Sequence, residues 1–174
     1  MDERYSLKDV ARLAFEDWED FVDMVKIKGI PIDFSLNLAG NDYRNIFLET
    51  DIEKLSKLVV SELVFNSMKS TLAISALTDI LRENFNKSRF LERLPKVEVG
   101  LYSRDREDVL YVEDNGKGIS PEIRSKIWEY GFSTFGTTGI GLVGVKKTVS
   151  EYRGRIEVES EENVRTRFSV YFPR

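Results

Sequence analysis

The sequence contains no histidine and no cysteine in 174 residues. Without cysteine there is no disulfide and no thiol chemistry, which fits a cytoplasmic setting. Without histidine the chain alone builds no Ser-His-Asp triad, no imidazole metal site and no phosphohistidine. No apolar run approaches the ~20 residues of a membrane span, so no membrane contact is expected. Residues 1–8 are charged and polar and do not read as a signal peptide. An excess of positive charge is also missing: the net charge is −4, and local basic clusters are interleaved with acids. That gives no field for nucleic acid. What remains, 41% hydrophobic and 32% charged residues, is the composition of one soluble globular domain, 1–174, with a real core.

The most informative stretch is Asp114-Asn115-Gly116-Lys117-Gly118-Ile119. The run Val109–Glu113 before it alternates as a half-buried strand. Leu110, Val112 and Asp114 therefore share the inward face. The chain carries a carboxylate toward its interior and then breaks into a glycine turn. A buried carboxylate needs donors, and glycines leave room for a flat ligand beside it. The exocyclic amine of a purine is one such donor. An ordinary Asn-Gly turn at a strand end would look the same.

The flanking elements read as follows. Ser6 and Asp9 form a capping box opening a helix with Leu7, Val10, Ala14, Trp18, Phe21 and Val25 on its core face, stopped at Gly29. Ile30–Leu36 alternates as a strand, with Pro31 marking an edge or a strand start. Gly40–Asp42 reads as a turn and Asn45–Leu48 as a short strand. Thr50 and Glu53 cap a helix whose Ile52, Leu55, Val59, Leu63 and Val64 face the core. The same helix carries Glu62, Asn66 and Lys69 about one turn apart on one face. A carboxylate, an amide and an ammonium in that row suit proton, metal and phosphate respectively, although a solvated polar stripe has the same spacing.

Thr71–Leu94 reads as one or two helices through Leu72, Leu77, Ile80, Leu81 and Phe85, with a mobile turn near Asn84–Ser88. Val97–Leu101 is a strand, and Ser103–Asp108 a hairpin turn. Ser120-Pro121 opens a short helix over about Pro121–Glu129. The stretch Tyr130–Leu142 is rich in glycine and hydroxyls and leads into a helix over about Leu142–Tyr152. Such a turn offers backbone N–H groups and a helix dipole to phosphate. It matches neither a Walker loop nor a Rossmann fingerprint. Gly154–Ser160 and Arg167–Phe172 close the chain as a strand hairpin through Glu161-Glu162-Asn163.

Three of these stretches, in this order, resemble the ATP-binding domain shared by sensor histidine kinases, Hsp90, DNA gyrase and MutL, the GHKL superfamily with the Bergerat fold. Glu62–Lys69 resembles its N box and Asp114–Ile119 its G1 box. Ile127–Thr134 resembles the F box and Gly136–Leu142 the G2 box. The resemblance spans about residues 6–174. It implies an α+β fold, a two-layer α/β sandwich whose mixed, mostly antiparallel sheet is covered on one face by helices.

The resemblance also implies roles. Asp114 would accept from the adenine amine, with Gly116 and Gly118 letting the backbone approach the base. Asn66 would ligate Mg²⁺ and Lys69 would meet a phosphate. Glu62 would assist the attacking group. Thr138, Gly139 and Gly141 would lie against the phosphates, with Ile119, Phe132, Ile140 and Leu142 also at the nucleotide. Residues from about 120 to 138 would form the ATP lid.

The kinase branch fits best, through Lys69, the short lid and Gly-Phe-Ser-Thr. A histidine kinase of this type would bind Mg·ATP and pass its γ-phosphoryl to a histidine outside the chain, on a dimerisation domain in cis or on a partner, with a response regulator downstream. The domain would be cytoplasmic, in a membrane-bound sensor or free, and monomeric. The chain opens about where such catalytic domains open after their linker, which reads as a catalytic domain taken by itself. A free-standing serine kinase of the anti-sigma-factor type, a GHKL ATPase and a nucleotide-gated binding module are the alternatives. Three features depart from the kinase pattern: Ser70 in place of an aromatic or histidine, the long 71–94 segment, and the short span between Phe132 and Gly139.

Overall fold

The computed structural model describes residues 5–39, 47, 49–72, 93–134 and 136–174. Helix α1, Leu7–Ile27, starts at the expected capping box: the Asp9 carboxylate accepts from the Ser6 N–H at 2.7 Å and from its hydroxyl at 2.8 Å. Such a cap stabilises the helix by about 1 kcal/mol. The helix stops at Gly29, whose N–H bonds the Lys26 carbonyl. Strand β1 runs Asp33–Leu38, three residues later than the alternation suggested. Pro31 has no N–H for a ladder, and pairing begins only where Asp33 meets the partner strand at Pro95 and Lys96. Ile30 and Ile32 instead drop into the core.

Helix α2, Glu49–Leu55, passes through a π-helical turn, Ser56–Val60, into α3, Ser61–Leu72. Both flanking residues of the π turn keep helical dihedrals, so the rod is continuous. Of the expected strand Asn45–Leu48, Phe47 forms an isolated antiparallel bridge with Tyr5, while its neighbours, the Gly40–Asp42 turn and residues 73–92 lie outside the described residues.

Strands β2 (Lys96–Arg104) and β3 (Glu107–Asp114) form a hairpin, turned at Asp105-Arg106. The expected single helix after Ser120 is a short α4, Pro121–Arg124, followed by a 3-10 turn at Lys126–Trp128. Helix α5 is Gly141–Glu151, and β4 (Arg155–Glu161) and β5 (Arg165–Pro173) are the closing hairpin.

The sheet order is β1-β2-β3-β5-β4, with β1 parallel to β2 and every other pair antiparallel. The register sets Val97, Val99 and Leu101 of β2 opposite Asp114, Val112 and Leu110 of β3, and these opposite Thr166, Phe168 and Val170 of β5. The apolar members of this face form one core with residues of α1, α2, α3 and α5. The other face carries Tyr102, Tyr111, Tyr171, Arg155 and Arg167, where rings and guanidinium groups stack. The mostly antiparallel two-layer sandwich is the architecture expected.

Candidate functional site

One end of the covered sheet face opens into a cleft of about 380 Å³ between α3, the β3–α4 loop, residues 132–134 and 137–142, and β5. Helical spacing on α3 turns Glu62, Asn66 and Lys69 toward it. Glu62, Asn66, Lys69, Asp114, Gly118, Ile119, Phe132, Thr138, Gly139, Ile140, Gly141 and Leu142 all line it. Gly116 does not line the cleft. It lies behind the carboxylate, its N–H donating to Asp114 Oδ1 at 2.9 Å, and a Cβ there would overlap the Ser70 hydroxyl.

Asp114 ends β3 on the inward face and is 3% exposed. Burial pushes its pKa up to about 6, against hydrogen bonds from the Gly116 N–H and the Ser67 and Ser70 hydroxyls, which favour the charged form. The Ser67 hydroxyl is buried beside the carboxylate without reaching good hydrogen-bond geometry. The donors present do not make good the lost hydration. Gly118 turns the loop with φ +68° and presses on the Glu161 carbonyl, where no side chain fits. The Ile119 N–H is held by Ser160 at 2.8 Å.

Across the cleft, the Asn66 amide donates to the Glu62 carbonyl at 2.9 Å and to its Oε1 at 3.2 Å. Both amide hydrogens are thereby committed, and the amide oxygen is left as an acceptor. Glu62 has its pKa raised by burial, offset in part by Asn66 and Lys69. Lys69 is 2% exposed, its ammonium 4.3 Å over the Phe65 ring. Burial lowers its pKa, Glu62 raises it and Lys117 lowers it.

The first residue of α5, Gly141, meets the Glu62 carboxylate, which occupies the space of a side chain. Ile140 gives α5 no side-chain cap, and the first helical bond runs from the Gly144 N–H to the Ile140 carbonyl. The N–H groups before it have no partner within the helix, so the helix start presents donors to an anion. Gly131 donates to the Gly139 carbonyl at 3.0 Å, closing the base of the expected lid. Trp128 packs edge-on against Phe168, anchoring the F-box stretch to the cleft wall.

Several cleft residues had no role assigned from sequence. Lys117 lines the rim, its pKa lowered by burial. Thr166 stands opposite Asp114 in the β3–β5 pair and is 3% exposed. Its signal was available: it is the polar member of the inward row Thr166, Phe168, Val170, Phe172. Starting the strand at Arg167 hid it.

A buried carboxylate, a helix carrying Glu62, Asn66 and Lys69, and an uncapped helix start meet around one cleft, the arrangement expected of an ATP-binding domain of the GHKL class. The family described as histidine kinase-, DNA gyrase B-, and HSP90-like ATPase matches residues 50–174, and the chain belongs to it. Its curated relatives include a probable C4-dicarboxylate sensor kinase of Halalkalibacterium halodurans, 49% identical over 65 residues, 36% of this chain and 12% of that protein. A probable C4-dicarboxylate sensor kinase of Bacillus subtilis is 34% identical over 80 residues, 45% of this chain and 15% of that protein. The chain thus spans a small part of the relatives it matches. Among solved structures, the catalytic domain of histidine kinase ThkA, 21% identical, superposes with a TM-score of 0.71 over 99% of this chain and 97% of that one. Full-length ShkA in complex with AMPPNP, 17% identical, gives 0.71 over 99% of this chain and 31% of that one.

Proposed function

We propose that this chain is the ATP-binding catalytic domain of a sensor histidine kinase. In this reading it binds Mg·ATP and delivers the γ-phosphoryl to a histidine outside these 174 residues. The observation that carries the reading is the facing of two half-sites across one cleft: the under-solvated Asp114 on one wall, and Glu62, Asn66 and Lys69 on the other. The relatives named as sensor kinases favour a histidine acceptor over the ATPase and serine-kinase alternatives.

Asp114 accepts from the adenine amine while the Gly118 backbone lies along the base. Lys69 and the α5 start hold phosphate oxygens, and Glu62 leaves the helix start as phosphate arrives. Its raised pKa suits it to take or share a proton of the attacking group. The donor set fits Mg²⁺: Asn66 offers one oxygen, and among the described residues no cluster of three His, Cys, Asp or Glu competes for it. Mg²⁺ characteristically takes one or two protein oxygens and completes its shell with phosphates and waters. When bound, it neutralises charge on the transferring phosphoryl group. Segment 120–138 closes over the phosphates as a lid. The histidine would reside on a dimerisation domain, in cis or on a partner, and a response regulator would receive the phosphoryl group. No described helix is long and apolar enough to cross a membrane, which fits the cytoplasmic part of a sensor.

The test is incubation of the protein with γ-labelled Mg·ATP and a lysate of the source cell. Label on protein that is lost in acid and kept in base supports the histidine acceptor. Label kept in acid and lost in base means a serine acceptor, and free phosphate without labelled protein means an ATPase.

A further inference from the structure

The β4–β5 hairpin reaches the base pocket through Ser160. Its hydroxyl accepts the Ile119 N–H at 2.8 Å, donates to the Arg165 carbonyl at 2.9 Å and lies 3.0 Å from the Thr166 hydroxyl. A serine hydroxyl carries one hydrogen and two lone pairs. A carbonyl only accepts, so Ser160 gives its hydrogen to Arg165. The contact with Thr166 is then satisfied in one way, with Thr166 donating to Ser160.

Thr166 spends its hydrogen on Ser160, so only lone pairs are left for it to offer to the cleft it lines. Thr166 stands opposite Asp114 across the β3–β5 pair. The floor of the pocket therefore presents two acceptors side by side and no hydroxyl donor from Thr166. Building on the adenine reading above, we propose that Ser160 is a positioning residue for nucleobase specificity, fixing the Thr166 hydroxyl as an acceptor. A 6-amino purine brings two N–H bonds to such a floor, met directly or through one water. A 6-oxo purine puts an acceptor where the amine was and keeps only its N1–H as a donor on that edge, so the group at position 6 faces two acceptors unpaired, and such a site discriminates strongly. Without the Ser160 oxygen, the Thr166 hydroxyl rotates and donates to a 6-oxo group, and the floor loses its polarity.

The test is calorimetric binding of ADP and IDP, which differ at the purine 6-position and in the hydrogen on N1, to the intact protein. Wild type is expected to favour ADP. Ser160→Ala is expected to lower the ADP:IDP affinity ratio by about fivefold or more, while Ser160→Thr, which keeps a hydroxyl, retains it. Ser160→Cys preserves the volume but is a poor acceptor, and serves if the alanine variant does not fold; it too is expected to lower the ratio. A merely structural role would weaken both nucleotides equally, so an unchanged ratio in the alanine and cysteine variants overturns the inference about Ser160. Equal binding of ADP and IDP by wild type would overturn the adenine reading itself, and this inference with it.

Discussion

Glu98 and Asp114 are carboxylates on neighbouring strands, on opposite faces of the same sheet, and their environments resolve differently. Burial opposes the charge on Glu98, but hydrogen bonds from Tyr111 at 2.5 Å and from Asn37, together with Lys96, outweigh it, and its pKa falls. Around it the outer face is closed on itself: Arg167 stacks 3.6 Å over Tyr111 and pairs with Glu113, which also pairs with Arg165. Burial opposes the charge on Asp114 as well, and there its partners fall short, so its pKa rises. Glu62 goes the same way, and Lys69 and Lys117 shift down. Charges that satisfy one another hold a fold together. A cluster in which burial wins at every group is arranged for something that is still to come, and that difference separates the site from the polar surface.

The comparison can be broken by removing one carboxylate at a time. Asp114→Asn places an amide among donors and replaces the charged acceptor proposed for the adenine amine with a neutral one. It is expected to weaken ATP binding by about 2–3 kcal/mol, roughly 30- to 150-fold, by calorimetry. Equal affinity would end the adenine assignment. Asn66→Ala is expected to cost about 1.5 kcal/mol, roughly tenfold, only when Mg²⁺ is present. The same Mg²⁺ dependence in variant and wild type would remove Asn66 from the metal. Glu98→Gln weakens the Tyr111 bond and is expected to cost about 0.5–1.5 kcal/mol of stability in urea, with ATP affinity unchanged. A loss of ATP binding there would show that the two faces are coupled.

Much of this contrast was legible in the sequence on one side only. The inward Asp114 follows from strand alternation before a glycine turn, and Glu62, Asn66 and Lys69 share a face by helical spacing. Local rules carry both. The partner of Asp114 across the sheet, Thr166, depends on the register between strands 52 residues apart in sequence, which no local pattern sets. The same holds for Ser160 and its grip on Ile119. The late start of β1 is a partner effect too, since alternation from Ile30 continues where no neighbour strand does. The π turn at Ser56–Val60 leaves no mark in composition, because the apolar spacing on either side reads as one helix.

The central claim is that Asp114 is left short of donors until adenine supplies one, and its own titration tests this most directly. The carboxyl carbon signal of Asp114, followed by NMR from pH 4 to 8 with and without saturating ADP, reports its pKa in both states. In the free protein the titration is expected near the value of about 6 that burial sets. Because the folded pKa lies above the ordinary one, the free domain binds the proton better than the unfolded chain does. This group's contribution to stability therefore falls as pH rises from about 4 to about 6 and is level above. A donated hydrogen bond favours the carboxylate, so ADP should pull the titration well below its free value, and ADP affinity should rise with pH through about 6. A titration that ADP leaves in place would contradict the account.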